Sequence, residues 1–112
     1  MIRPETVAKI ALSMPGAHQG HHFDVTDFRV NNKIFCTLPK PGRMGLCITT
    51  DEQAALLAED PKTYQRANGS WGAKGWTIVI LATADAQQLR ELITDAWRLA
   101  APQKLLTELD EG

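Results

Sequence analysis

The sequence predicts an α+β fold, a two-layer sandwich in which an antiparallel sheet packs against helices. Three observations carry that expectation. Apolar residues recur with a helical period at both ends of the chain, whereas residues 27–49 alternate or run apolar as strands do. The turns inside that middle stretch are so short that the strands they join must pair antiparallel. Three one-sided helices and one such sheet bury their apolar faces most simply as two layers. The expected order is one helix, three or four strands, a helix, one or two strands and a helix.

The first helix opens at Pro4, a residue suited to the first helical position because its missing N–H costs nothing there. Val7, Ile10, Ala11 and Met14 form its buried stripe, and Pro15-Gly16 ends it. Residues 17–22 read as a polar connection leading to Phe23. Phe28-Arg29-Val30 and the run Lys33 to Leu38 flank Asn31-Asn32, and Asn tolerates the positive φ that a two-residue hairpin turn demands. Phe28 and Phe35 are expected to face each other across that turn. Pro39-Lys40-Pro41-Gly42 makes a second turn, and Gly45 to Thr49 returns as the next strand. With Leu38 opposite Gly45, Cys36 would face Cys47.

Thr50 is expected to cap the second helix, with Gln53 in the reciprocal capping-box position and Asp51 and Glu52 in the first turn, where the helix dipole favours them. Pro61 stops it. Tyr64 to Ala67 reads as a short strand, Asn68 to Gly75 as a glycine-rich loop, and Trp76 to Leu81 as a central strand. Asp85 can cap the last long helix, whose stripe is Leu89, Leu92, Ile93, Ala96, Trp97 and Ala100. Pro102 breaks it, and Lys104 to Leu109 add a terminal turn. With no repeat, low-complexity tract or linker, residues 1–112 read as a single domain.

At 112 residues with 44% hydrophobic and 22% charged, the chain can bury a core without disulfide staples. No apolar run approaches the ~18 residues of a membrane helix, and the N-terminus has no apolar signal region. The expectation is a cytoplasmic monomer with no membrane partner and two reduced thiols.

The formal net charge of -1 argues against strong nonspecific nucleic-acid binding, but the distribution is uneven. No acid lies between Asp27 and Asp51 or between Asp60 and Asp85, where seven cations stand: Arg29, Lys33, Lys40, Arg43, Lys62, Arg66 and Lys74. Tyr64, Trp71 and Trp76 fall in the same stretches. Cations neutralise phosphates and aromatic faces stack on bases, so this is the footprint of a nucleic-acid binder. In that reading Arg29, Lys33, Lys40, Arg43, Arg66 and Lys74 contact DNA phosphates from hairpin wings while Trp71 stacks or inserts. Binding is expected to be weak and salt-sensitive. No recognition helix serves it, since residues 51–60 carry Asp51, Glu52, Glu59 and Asp60 and no cation. The competing structural account is that helix starts favour acids and sheet edges favour Lys. A second functional reading has no nucleic-acid role: His22, Phe23, Arg29, Trp71 and Trp76 bound a pocket for a small anionic ligand, or the domain binds a protein partner.

Other constellations are weaker. His18, His21 and His22 invite a zinc site, but adjacent strand residues point to opposite faces and no further ligands stand at a recognisable spacing. Residues 69–75 lack the P-loop spacing. Asp24 and Asp27 are close carboxylates with no second catalytic group marked beside them, and Ser13 and Ser70 have no nucleophile motif. The expectation is a non-enzymatic module with no catalytic residues, no metal and no cofactor.

Several stretches taken together carry a family resemblance: Met14-Pro15-Gly16, His22-Phe23, Asp27-Phe28-Arg29-Val30, Lys33-Ile34-Phe35, Trp71-Gly72, Gly75-Trp76, Ala96-Trp97-Arg98 and Ala101-Pro102. In this order and spacing the chain resembles the MmcQ/YjbR-like family of small bacterial proteins over about residues 3–106. It departs at Thr26, where the family pattern has Pro, and at Asn31-Asn32, which replace glycines. The resemblance implies a two-layer fold similar to CyaY (bacterial frataxin) and to type III secretion chaperones. It also implies a DNA-binding role through a double-wing motif, a role assigned to the family largely by fold analogy. Frataxin-like iron binding is not expected, because the first helix here has only Glu5 where frataxins carry an acidic ridge.

Overall fold

In the computed structural model, which describes residues 2–111, α1 (Pro4–Leu12) leads into a meander of β1 (His18–His22), β2 (Val25–Val30), β3 (Lys33–Lys40) and β4 (Arg43–Cys47). The chain then forms α2 (Thr50–Glu59), β5 (Tyr64–Arg66), the single-turn α3 (Gly69–Ala73), β6 (Trp76–Ile80), α4 (Ala86–Ala100) and α5 (Gln103–Glu111). The six strands make one sheet in the order β1-β2-β3-β4-β6-β5, antiparallel at every pairing. The α+β architecture is therefore the one the sequence predicts. Among the described residues, no helix is long and apolar enough to cross a membrane.

The core lies between the sheet and the helices packed on one of its faces. Phe28, Val30, Phe35, Met44, Leu46 and Val79 point from the sheet to Leu89, Ile93 and Trp97 of α4 and to Val7 and Ile10 of α1. Trp97 is fully buried, and its Nε1 donates to Pro15 O at 2.9 Å, tying α4 to the end of α1. Satisfying that indole N–H is what permits so large a polar-tipped ring in a core. Gly16 has φ +70, and a Cβ there would stand 2.8 Å from Leu105 Cδ1, so this glycine both turns the chain and admits α5.

Asn31 and Asn32 have φ 51 and 64, the left-handed pair of a type I′ hairpin, as expected. Five local expectations are corrected. Residues 18–22 form the edge strand β1, not a loop; their side chains are polar because an edge strand on an uncovered face has little to bury. A register irregularity between Phe28 and Arg29 sets Phe28 opposite Cys36 instead of Phe35, and Phe35 and Cys36 are consecutively buried. A second irregularity between Thr37 and Lys40 sets Thr37 opposite Gly45 and Cys36 opposite Leu46. Cys36 and Cys47 therefore do not face each other: Cys36 lies in the core, Cys47 takes the opposite face, and both are free. The cap of α2 is Thr49, not Thr50, its side chain accepting from Glu52 N at 3.1 Å, which releases Gln53 for a buried role. Within the glycine-rich loop, residues 69–73 close one helical turn.

Candidate functional site

With the helices on one face, the other is left uncovered. The register sets a row of short side chains across its middle, Gly20, Asp27, Thr37 and Gly45, which ends against Ile78. Taller side chains stand on either side of this row. The result is a cleft of about 340 Å³, floored by Ile34, Thr37 and Gly45, walled by Trp71, Trp76 and Ile78, and closed by Pro39, His22, Ala67 and Asn68. Gly45 keeps the floor low, because a Cβ there would stand 2.6 Å from Thr37 Oγ1 and 3.7 Å from the Trp76 ring.

The tryptophan wall is built by close backbone approach. A Cβ on Gly72 would collide with Ala67 O, and one on Gly75, at φ +106, would collide with Ile48 O. Only glycine lets α3 and the start of β6 fold this tightly against Ala67, just after β5, and Ile48, ahead of α2. Buried Gln53 then clamps the segment: its Nε2 lies 2.9 Å from Trp76 O, 3.1 Å from Thr77 Oγ1 and 3.2 Å from Gly72 O. Trp71 meets Trp76 edge to face, with centroids 6.3 Å apart, and Lys74 Nζ sits 5.8 Å from the Trp71 ring centroid. Trp71 is 63% exposed, a costly state for an indole that packing alone does not require.

At the opposite side of the cleft lies an ionic cluster around a buried carboxylate, which the sequence reading did not assemble. Asp27 is fully buried. Arg29 donates to it twice, Nε to Oδ1 at 2.7 Å and Nη2 to Oδ2 at 3.0 Å. His22 Nδ1 lies 2.8 Å from Oδ2. The Arg29 hydrogen bonds, against the opposing effect of burial and with help from His22, hold the Asp27 carboxyl below its ordinary range. An ionised carboxylate only accepts, so the proton of this contact belongs to His22 Nδ1. Gly20 makes room for the cluster, since a Cβ there would stand 3.0 Å from Asp27 Oδ1 and 3.2 Å from Arg29 Nε. The signal was present as His18-x-Gly20-x-His22, a period-2 pattern that a two-residue turn folds onto Asp27 and Arg29. It is illegible as long as residues 18–22 are taken for a loop.

The sequence-predicted pocket residues are therefore partly gathered. His22, Trp71 and Trp76 line the cleft. Arg29 stands behind it with its guanidinium engaged by Asp27. Phe23 sits outside on the β1–β2 turn, 98% exposed at φ 55, its ring 6.4 Å from that of His22. The predicted phosphate contacts also divide. Arg43 shares the uncovered face with Gly45, and Lys40 is its cross-strand partner, both beside the β3–β4 turn. Lys74 and Trp71 stand at the other end of the cleft. Lys33 pairs with Val30 and Arg66 with Thr77, register positions that belong to the helix-covered face. Lys40 with Arg43 and Lys74 thus bracket the cleft, while Lys33 and Arg66 stand at register positions of the other face.

Away from this face, Glu52 of α2 and Asp95 of α4 share a hydrogen bond, and burial followed by Asp95 pushes Glu52 up to about 7. Burial also raises the Cys36 and Cys47 thiols, which disfavours the thiolate. Among the described residues, no group of three or more His, Cys, Asp or Glu converges on a point that could hold a metal.

No curated protein matches the sequence. Solved structures do match the fold. A Deinococcus radiodurans protein with a DUF419 domain is similar over 88% of this chain and 78% of its own, with a TM-score of 0.79 and 19% identity. A Pseudomonas syringae protein is similar over 88% of this chain and 99% of its own, with a TM-score of 0.71 and 15% identity. At such identities the likeness speaks for the fold alone. A family model described as YjbR matches residues 12–99, a span that runs from the end of α1 almost to the end of α4 and includes every strand and the whole cleft, and the chain belongs to the YjbR family.

Proposed function

We propose that this protein is a non-enzymatic DNA-binding module that works with the uncovered face of its sheet. One observation carries the reading. On that face Lys40 and Arg43 at one end and Lys74 at the other bracket a cleft walled by an exposed indole, while the buried carboxylate nearby, Asp27, is already neutralised by Arg29. Cations aligned with a stacking surface are what nucleic-acid binding on a sheet uses. The helical face, with its acidic α2, is the wrong sign for a phosphate backbone. Because few phosphates are contacted, affinity is modest and falls with salt.

The test is fluorescence anisotropy of labelled DNA at low and physiological salt. Lys40→Glu with Arg43→Glu is expected to lower affinity and to reduce the salt slope by about 2. Unchanged affinity in that variant contradicts the reading. A small-ligand site with no nucleic-acid role is the second reading, favoured by the largely apolar lining of the cleft. It predicts that an anionic metabolite saturates the cleft at salt concentrations where DNA does not bind.

A further inference from the structure

We infer that the cleft is a pocket for one unpaired nucleobase, carried by a nucleotide or by a single strand, with its ring against Trp71 and Trp76 and one of its N–H groups donating to His22 Nε2. The inference rests on the nucleic-acid reading above and specifies what that face recognises.

Size comes first. About 340 Å³ is at the lower end of small-ligand sites, room for one ring system and not for a base pair within a stack. A duplex can lay its phosphates on Lys40, Arg43 and Lys74, but its bases stay inside the helix. Chemistry comes second. Trp71 and Trp76 meet edge to face at 81°, so one ring offers a face and the other an edge to a planar guest. Every base has a π-face, and such stacking tolerates any sequence.

Polarity comes third, and it is the part that the buried cluster decides. His22 uses Nδ1 as donor to Asp27 Oδ2. In the neutral imidazole the remaining nitrogen, Nε2, is then an acceptor. Arg29 donates to both carboxylate oxygens and so keeps Asp27 ionised and unable to return a proton. Asp27 and Arg29 are therefore positioning residues that fix which nitrogen of His22 meets a ligand. Adenine, guanine and cytosine present amino groups, and uracil and thymine present a ring N–H, so each can donate to Nε2. The flanking charge comes fourth. β4 runs four steps from Arg43 to Cys47, about 13 Å, and so spans the cleft between the two cationic ends. A base seated in the middle places its 5′ and 3′ phosphates toward Lys40 with Arg43 on one side and Lys74 on the other.

The experiment uses the whole protein labelled with 15N-histidine. Tryptophan fluorescence and the His22 ring nitrogens are followed on adding nucleoside monophosphates, a single-stranded oligonucleotide, a duplex of the same length, and inorganic phosphate. Nucleotides and the single strand are expected to quench the tryptophans and to shift His22 Nε2 more than Nδ1, with the duplex at least about tenfold weaker. A strand that binds more tightly than the free nucleotide identifies nucleic acid as the source; equal affinity identifies the free nucleotide. Trp71→Ala, at an exposed position that the core does not need, is expected to lower single-strand affinity about tenfold. His22→Phe keeps a ring but removes the acceptor and is expected to lower it several-fold. If duplex and single strand bind equally and His22 does not move, the base pocket is wrong and the DNA-binding reading stands. If phosphate alone reproduces the shifts, the base pocket is likewise wrong. If nothing binds at low salt, both are wrong.

Discussion

At the scale of single residues, Asp27 is the position on which the most depends. Its carboxylate joins β1 to β2 through side chains, where an edge strand of His, Gln and Gly has no apolar pairs to offer. Asp27→Asn keeps the shape but weakens two charge-assisted bonds and leaves Arg29 without its counter-ion, so it is expected to cost about 2–3 kcal/mol in urea unfolding at neutral pH. The sign of its pH dependence follows from the lowered pKa. The wild-type contribution is complete above the ordinary value of 3.8 and is lost as pH falls through the folded value below it. The gap between wild type and variant should therefore narrow only under acid conditions. A gap that stays constant there would mean that Asp27 acts through packing and not through charge. None of this was legible one residue at a time: the sequence marks His22, Asp27 and Arg29 separately, and only strand pairing brings them to one point.

At the scale of elements, sequence chemistry was legible wherever one short-range cause sufficed. Asn31-Asn32 specified its turn, Asp85 caps α4 by accepting from Gln88 N at 2.9 Å, and the α4 stripe is the buried one. It failed where tertiary contacts decide, at β1 and at α3. The one-turn helix α3 exists because Gly72 and Gly75 let the backbone pack against Ala67 and Ile48. Gly75→Ala is accordingly expected to cost about 3 kcal/mol or to prevent folding. Gly69→Ala, at φ +66 but in open space, should cost only about 1 kcal/mol. Equal costs at the two sites would contradict the close-packing account of the tryptophan wall. The contact between α2 and α4 provides a second test. Glu52 is raised from 4.5 to about 7, so the folded state favours its protonated form. The penalty is absent below 4.5, grows as pH rises, and is complete above about 7. Discounted for solvent screening, Glu52→Gln should stabilise by about 1 kcal/mol in mildly alkaline buffer and by little in mildly acidic buffer, as read by thermal melts.

At the scale of the whole molecule, two faces divide the work. One is covered by α1 and α4 and holds the core; the other is left open with a walled cleft and flanking cations. The layer arrangement was legible because hydrophobic period and turn length suffice to define it. The uneven charge was legible too, but its placement was not. Two register irregularities in β3 decide which side chains share a face, and no local signal in the sequence marks either one. They set Lys33 on the face opposite Thr37 and bring Lys40 onto the face of Thr37, beside Arg43.

The most direct test of the account is a backbone-amide NMR titration with DNA, single-stranded and duplex, at low and physiological salt. Shifts are expected at Thr37, Lys40, Arg43, Gly45, Trp71 and Lys74 that weaken as salt rises, with the α1 and α4 amides unmoved. A flat response at low salt, or shifts centred on the helices, would contradict it.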